Sequence, residues 1–108
     1  MDPHRLAKER SIAYHGVIAE RLQRQPEILA NARQRVLTWL SSGVEAPFYA
    51  QRWAEILEGD ISSITTFLTV RSELAEELRQ SSPFAGALDP KERWAIWRET
   101  RERFERQP

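Results

Sequence analysis

The sequence predicts an all-α fold: one compact domain over residues 1–108, built as a bundle of about six short to medium helices. Three observations predict it. Apolar residues recur at intervals of three and four rather than two. The chain has four glycines and few β-branched runs, which favours helix over strand. Helix-start signals recur along its length, as Asp2-Pro3, Gln25-Pro26, Pro47, Gly59-Asp60, Ser72 and Asp89-Pro90. At 108 residues the chain can bury a modest core without a metal or a disulfide.

Asp2 and Pro3 read as N-cap and first helical residue of a helix running to about Arg24. Its apolar face is Leu6, Ala13, Val17, Ile18 and Leu22, flanked by Ile12 and Tyr14. Gly16 inside it suggests a close helix contact, since glycine there costs about 1 kcal/mol relative to alanine. His15 beside it is expected to be structural and at most half-buried, because His4 is eleven residues away and supplies no metal-ligand spacing. A second helix starts at Pro26 and buries Ile28, Leu29, Ala32, Val36, Trp39 and Leu40. Its other side carries Asn31, Arg33, Gln34 and Arg35, and Gly43 is a natural left-handed cap.

Pro47 opens a third helix, with Phe48, Trp53, Ile56 and Leu57 facing inward. The segment ISSITTFLTV is strand-like in composition. Asp60 as a cap followed by Ile61, Ile64, Phe67 and Leu68 at helical spacing still makes it a helix. Ser72 caps a short acidic helix that turns Leu74, Ala75 and Leu78 inward and Glu73, Glu76 and Glu77 to water. That helix ends near Gln80, because Pro83 cannot continue it. Phe84 is expected to plug the core while Ala85, Gly86 and Ala87 let the backbone pass close. Asp89-Pro90-Lys91-Glu92 is a capping-box-like start. The last helix should place Trp94, Trp97, Arg101 and Phe104 on one stripe, with Glu99/Arg103 and Glu102/Arg106 as favourable i, i+4 pairs. Its charged second half suits a helix that projects into solvent or onto a partner.

Composition excludes several function classes. Without cysteine there is no disulfide scaffold, thiolate metal site or cysteine nucleophile, which fits a cytoplasmic protein. No apolar run approaches the roughly 20 residues that span a bilayer, and no signal peptide precedes the first helix. No Gly-rich phosphate loop, HExxH, nucleophile elbow or acidic metal motif is present, so neither an enzyme nor a cofactor is expected.

The net charge of zero hides a pattern. Residues 1–37 carry +3, residues 38–89 carry −5 and residues 90–108 carry +2. If the terminal helices lie together they form a basic face; otherwise this is ordinary solvated helix surface. Fourteen of the sixteen basic residues are arginine, which suits phosphate or carboxylate forks as well as a GC-rich coding bias. The third and fourth helices, joined by Glu58-Gly59-Asp60, are the candidate helix-turn-helix. The would-be reading helix ISSITTFL has no Arg or Lys, so this pair is expected merely to pack. Of the four tryptophans, Trp39, Trp53 and Trp94 are expected in the core. Trp97 either joins Arg93, Arg98 and Arg101 in an interface patch or closes the core beside Trp94.

The stretch R79-Q80-S81-S82-P83-F84-A85-G86-x-L88-x-P90-x-E92-R93-W94, with S11-I12-A13-Y14-H15 and R52-W53-A54-E55-I56-L57, resembles a family of small bacterial proteins. These share an LRQxSPFAGxLxPxERWxIxR signature, and the resemblance covers nearly the whole chain. It implies an antitoxin-like role: folding against a cognate toxin of nuclease or nucleotidyltransferase type and masking its active site. A DNA-binding autoregulator acting on operator DNA and a structural module forming a homodimer are the alternatives. The resemblance carries no catalytic or binding residue over. The expected partner-contact residues are therefore those whose types the fold does not demand: Arg79, Gln80, Arg93, Trp97 and Arg98.

Overall fold

A computed structural model describes residues 2–42 and 47–106. Gly43 and the loop after it lie outside the described residues. Six helices follow one another: α1 (Pro3–Arg21), α2 (Pro26–Leu40), α3 (Phe48–Leu57), α4 (Ile61–Thr69), α5 (Glu73–Arg79) and α6 (Pro90–Arg106). No strand occurs among the described residues. The fold is an all-α single-domain bundle.

Local chemistry sets the helix starts. Carboxylates or hydroxyls of Asp2, Asp60 and Ser72 accept from the backbone N–H of His4, Ser63 and Ala75, so each occupies a donor the helix leaves free. Asp89 and Glu92 form a reciprocal capping box: Asp89 Oδ1 accepts from Glu92 N at 2.8 Å and Glu92 Oε2 from Asp89 N at 3.3 Å. The cap on α4 holds ISSITTFLT in a helix despite its strand-like composition. Helix α1 stops at Arg21, short of Arg24, because the N–H groups of Arg24 and Gln25 both turn back onto the Arg21 carbonyl.

Helix α1 packs on α4 and α6, α2 on α3, and α4 on α3 and α5. Ile18, Leu22, Trp53, Ile64, Leu68, Leu78 and Phe84 are fully buried where these helices meet. Trp53 meets Phe67 and Phe84 edge-on, with ring centroids 5.7 and 6.1 Å apart, and its indole N–H donates to Leu78 O at 3.1 Å. Phe84 is the core plug its sequence context indicates. Its own carbonyl accepts from Tyr14 Oη at 2.7 Å, so the 81–89 loop is tied to α1 by both side chain and backbone. Gly86 has φ +82°, the left-handed turn that sends the chain from Phe84 toward α6.

Four expectations need correction. Trp94 is 60% exposed and Phe48 is 55% exposed, so neither is in the core. The inward stripe of α6 is Arg93, Trp97, Thr100 and Phe104, rotated from the one expected. Thr100 can be buried because its hydroxyl donates to its own Ile96 carbonyl at 2.7 Å. The second half of α6 does not project freely. Arg5 lies over Phe104, Arg10 over Trp97 and Arg21 against Glu92, so α1 and α6 run antiparallel along their length. The ion pair along α6 joins Arg101 to Glu105, while Arg103 reaches Thr100 Oγ1.

Much of the arginine is consumed by the fold. Arg33 donates twice to Leu57 O, at 3.1 and 2.8 Å, and closes the end of α3. Arg35 reaches Ala85 O, and Arg71 grips Glu9 through two bonds of 2.7 and 2.9 Å. Asn31, Arg33, Gln34 and Arg35 are thus exposed as expected, yet two of them are clamps.

Candidate functional site

A cleft of about 390 Å³ opens between α1, the C-terminal end of α5, the 82–86 loop and α6. Arg79, Gln80, Arg93 and Trp97 all line it, so four of the five expected contact residues converge there. Arg98 is exposed on α6 and does not line the cleft.

Arg79 departs most from its expected role. It is 5% exposed, and its Nη1 donates to Val70 O at 2.8 Å and Leu68 O at 3.3 Å. These are carbonyls at the end of α4, which has no donor of its own for them. Arg79 is therefore first a fastener of α4 onto α5, and only its flank is presented to the cleft. Burial lowers its pKa from the ordinary arginine value, an effect that nearby Glu76 opposes.

Arg10 and Arg93 flank Trp97, with guanidinium carbons 5.8 and 5.5 Å from its ring centroid. Trp97 in turn meets Trp94 edge-on at 5.8 Å. The Nε of Arg10 and the Nε of Arg93 are both buried without a hydrogen-bond partner. A buried unpaired donor costs about 1–3 kcal/mol, and more when charged. Two such donors beside one indole mark a cluster that the chain's own acceptors leave unfinished. Among the described residues no carboxylate lines the cleft. Glu76, whose charge acts on Arg79, is held by Lys8 at 3.4 Å.

The cleft's floor is a polar pair. His15 is 3% exposed, deeper than the half-buried position expected. Its Nδ1 lies 2.7 Å from Ser11 O, and a carbonyl can only accept, so Nδ1 carries the proton. Burial pushes the imidazole pKa down to about 4, and Arg79 adds to the shift, so the ring is neutral near pH 7. Nε2 then accepts from Ser82 Oγ at 2.8 Å, while Ser82 Oγ itself accepts from Phe84 N at 3.1 Å. The spacing is that of a hydroxyl and its general base. The depressed basicity and the Phe84 N–H bond instead make the pair a fastener of the loop onto α1.

This burial predicts a pH effect. The folded-state pKa lies below the unfolded value near 6.5, so the unfolded chain binds the proton more readily. The stability is complete above that value and is lost as pH falls toward 4. The expected loss is about 2 kcal/mol between pH 7 and pH 5, above the range where carboxylates titrate. Urea midpoints at the two pH values check it, and a His15→Phe variant should be nearly flat over that interval.

Sequence reasoning missed the α1 side of the cleft. Arg10, Ser11, Tyr14 and His15 come from α1 and meet the 79–97 stretch only through the tertiary fold. The signal available was the Ser11–His15 motif, which belongs to the same resemblance. Among the described residues no group of His, Asp and Glu is arranged to hold a metal, and no helix is long and apolar enough to cross a membrane. The chain matches no protein-family model, no curated protein and no solved structure.

Proposed function

We propose that the protein is a partner-binding module of antitoxin type, which grips a cognate toxin through the α1–α6 face. The observation that carries this reading is the Trp94–Trp97–Arg10–Arg93 cluster. Trp94 is largely exposed, and neither arginine has a carboxylate partner among the described residues. Tryptophan and arginine dominate binding hot spots, and a large exposed aromatic beside unpaired guanidinium is surface the fold itself does not need. Of the signature residues, Arg79, Gln80, Ser82, Ala85, Gly86 and Arg93 line the cleft beside this face, in keeping with the family resemblance. Glu73 and Glu77 on neighbouring α5 are exposed and available to a basic cleft on the toxin.

Co-expression with the product of the adjacent gene tests the reading. A co-purifying complex and relief of growth arrest are expected. Arrest that persists, with no complex formed, overturns it.

A second reading is favoured by one observation. The two basic terminal segments lie side by side as α1 and α6, and Arg98 and Arg106 remain exposed along the pair. This suits an autoregulator that holds operator phosphates without a reading helix. Helix α4 gives no support for base readout, since it buries Ile64 and Leu68 and exposes Ser62, Ser63 and Thr66. A gel shift on the chain's own promoter that fails even at low salt excludes this second role.

A further inference from the structure

We infer that the cleft between α1, the 82–86 loop and α6 is an anion site that takes a phosphomonoester dianion, with Arg10 and Arg93 as its two principal ligands. This goes beyond the partner-binding reading and uses the inner side of the same Arg10–Trp97–Arg93 cluster: the open, largely apolar cleft into which the arginines bring charge, rather than the exposed Trp94 surface. Three arginines line one cleft of about 390 Å³, and no carboxylate among the described residues lines it. Arg79 already serves the Leu68 and Val70 carbonyls, which leaves two whole positive charges unmatched. Both belong to side chains whose Nε is buried without an acceptor.

A dianion matches two such charges, whereas a carboxylate matches one. Tetrahedral phosphoryl oxygens also suit two guanidinium forks approaching from α1 and α6, in a way a planar carboxylate does not. The Ser11 hydroxyl and the Gln80 amide lie in the same lining as further donors. The cleft exceeds the size of a phosphoryl group. Its remaining wall is Ala7, Ala85 and the Trp97 ring, an apolar surface suited to the ester's organic part. The His15–Ser82 pair beneath contributes no charge of its own, because both groups are already committed to each other and to the backbone.

The test is a titration of the full chain at low ionic strength with inorganic phosphate, 5′-AMP, adenosine and acetate, read by tryptophan fluorescence and by the arginine Nε–H resonances. Phosphate and 5′-AMP are expected to bind saturably and compete, below about 10 mM, with adenosine and acetate much weaker. Tighter binding of 5′-AMP than of phosphate assigns the ligand as a nucleotide. Equal binding assigns free phosphate, and either supports the site. The Arg10 and Arg93 Nε–H signals should shift in the unsubstituted chain, which locates the site without relying on a variant. Arg10→Gln and Arg93→Gln should each weaken binding by about tenfold or more, while Arg24→Gln, in the turn after α1, leaves it unchanged. Absence of saturation by both phosphates overturns the inference. So does acetate binding as tightly as phosphate, or a shift confined to other arginines.

Discussion

Replacing Phe84 by alanine is expected to destabilise the protein by about 3–5 kcal/mol, a large fraction of the total stability of a domain of this size. Phe84 is 1% exposed and lies where four constraints meet. Its ring lies edge-on to Trp53 and His15, its carbonyl holds Tyr14 Oη, and its N–H holds Ser82 Oγ. Removing the ring leaves a cavity under the segment that joins α5 to α6, between Trp53 of α3 and His15 of α1, which cannot both close on it. Trp94→Ala is the contrast. It removes more aromatic surface, but the ring is 60% exposed, so its cost should stay within about 0.5 kcal/mol. Urea denaturation of both variants checks the pair, with Phe84→Ala shifting the midpoint at nearly unchanged slope.

Trp97→Ala carries the second large effect, on binding rather than folding. Its ring is the shared platform of Arg10 and Arg93, so truncation releases both guanidinium groups and removes the support behind Trp94. A hot-spot position of this kind is worth about 2 kcal/mol or more, a loss of roughly 30-fold in affinity for the proposed partner. Arg98→Ala should cost less than about tenfold, because Arg98 stands alone on the outer side of α6 and holds no second residue in place. Calorimetric titration of both variants with the co-purified partner measures the difference. Equal losses would mean that α6 meets the partner by charge rather than by the Trp97 platform.

Features decided by neighbouring residues were readable from the sequence. The Asp60 and Ser72 caps, the Asp89–Glu92 box and the Pro83 break each act within a few residues. Phe84 was legible for the same reason: a lone aromatic among small residues has few places to go but inward. Features decided by what lies across the fold were not. On α6 the stripe through Trp94 and the stripe through Arg93 share Trp97 and Phe104, and hydrophobicity alone favoured the one with the extra tryptophan. The fold chose the other because Ile96 packs against the core and Thr100 is buried with its hydroxyl bonded to the Ile96 carbonyl, while Trp94 and Arg101 stay exposed. Arg79 looked like free surface because nothing nearby in sequence asks for a donor; the carbonyls it serves sit nine and eleven residues upstream, at the end of α4. Of the candidate site, the 79–97 half was visible as residue types the fold left unexplained. The α1 half was hidden, since only the antiparallel packing of the first and last helices brings Arg10 and His15 to it.

The central claim is that the α1–α6 face is completed by a partner. Amide hydrogen exchange of the chain alone and in complex with the product of the adjacent gene tests it most directly. Slowed exchange over residues 7–15 of α1 and 91–101 of α6, with α2 and α3 unchanged, is the predicted footprint. Protection confined to α2 and α3, with the α1–α6 face exchanging as in the free chain, would contradict it.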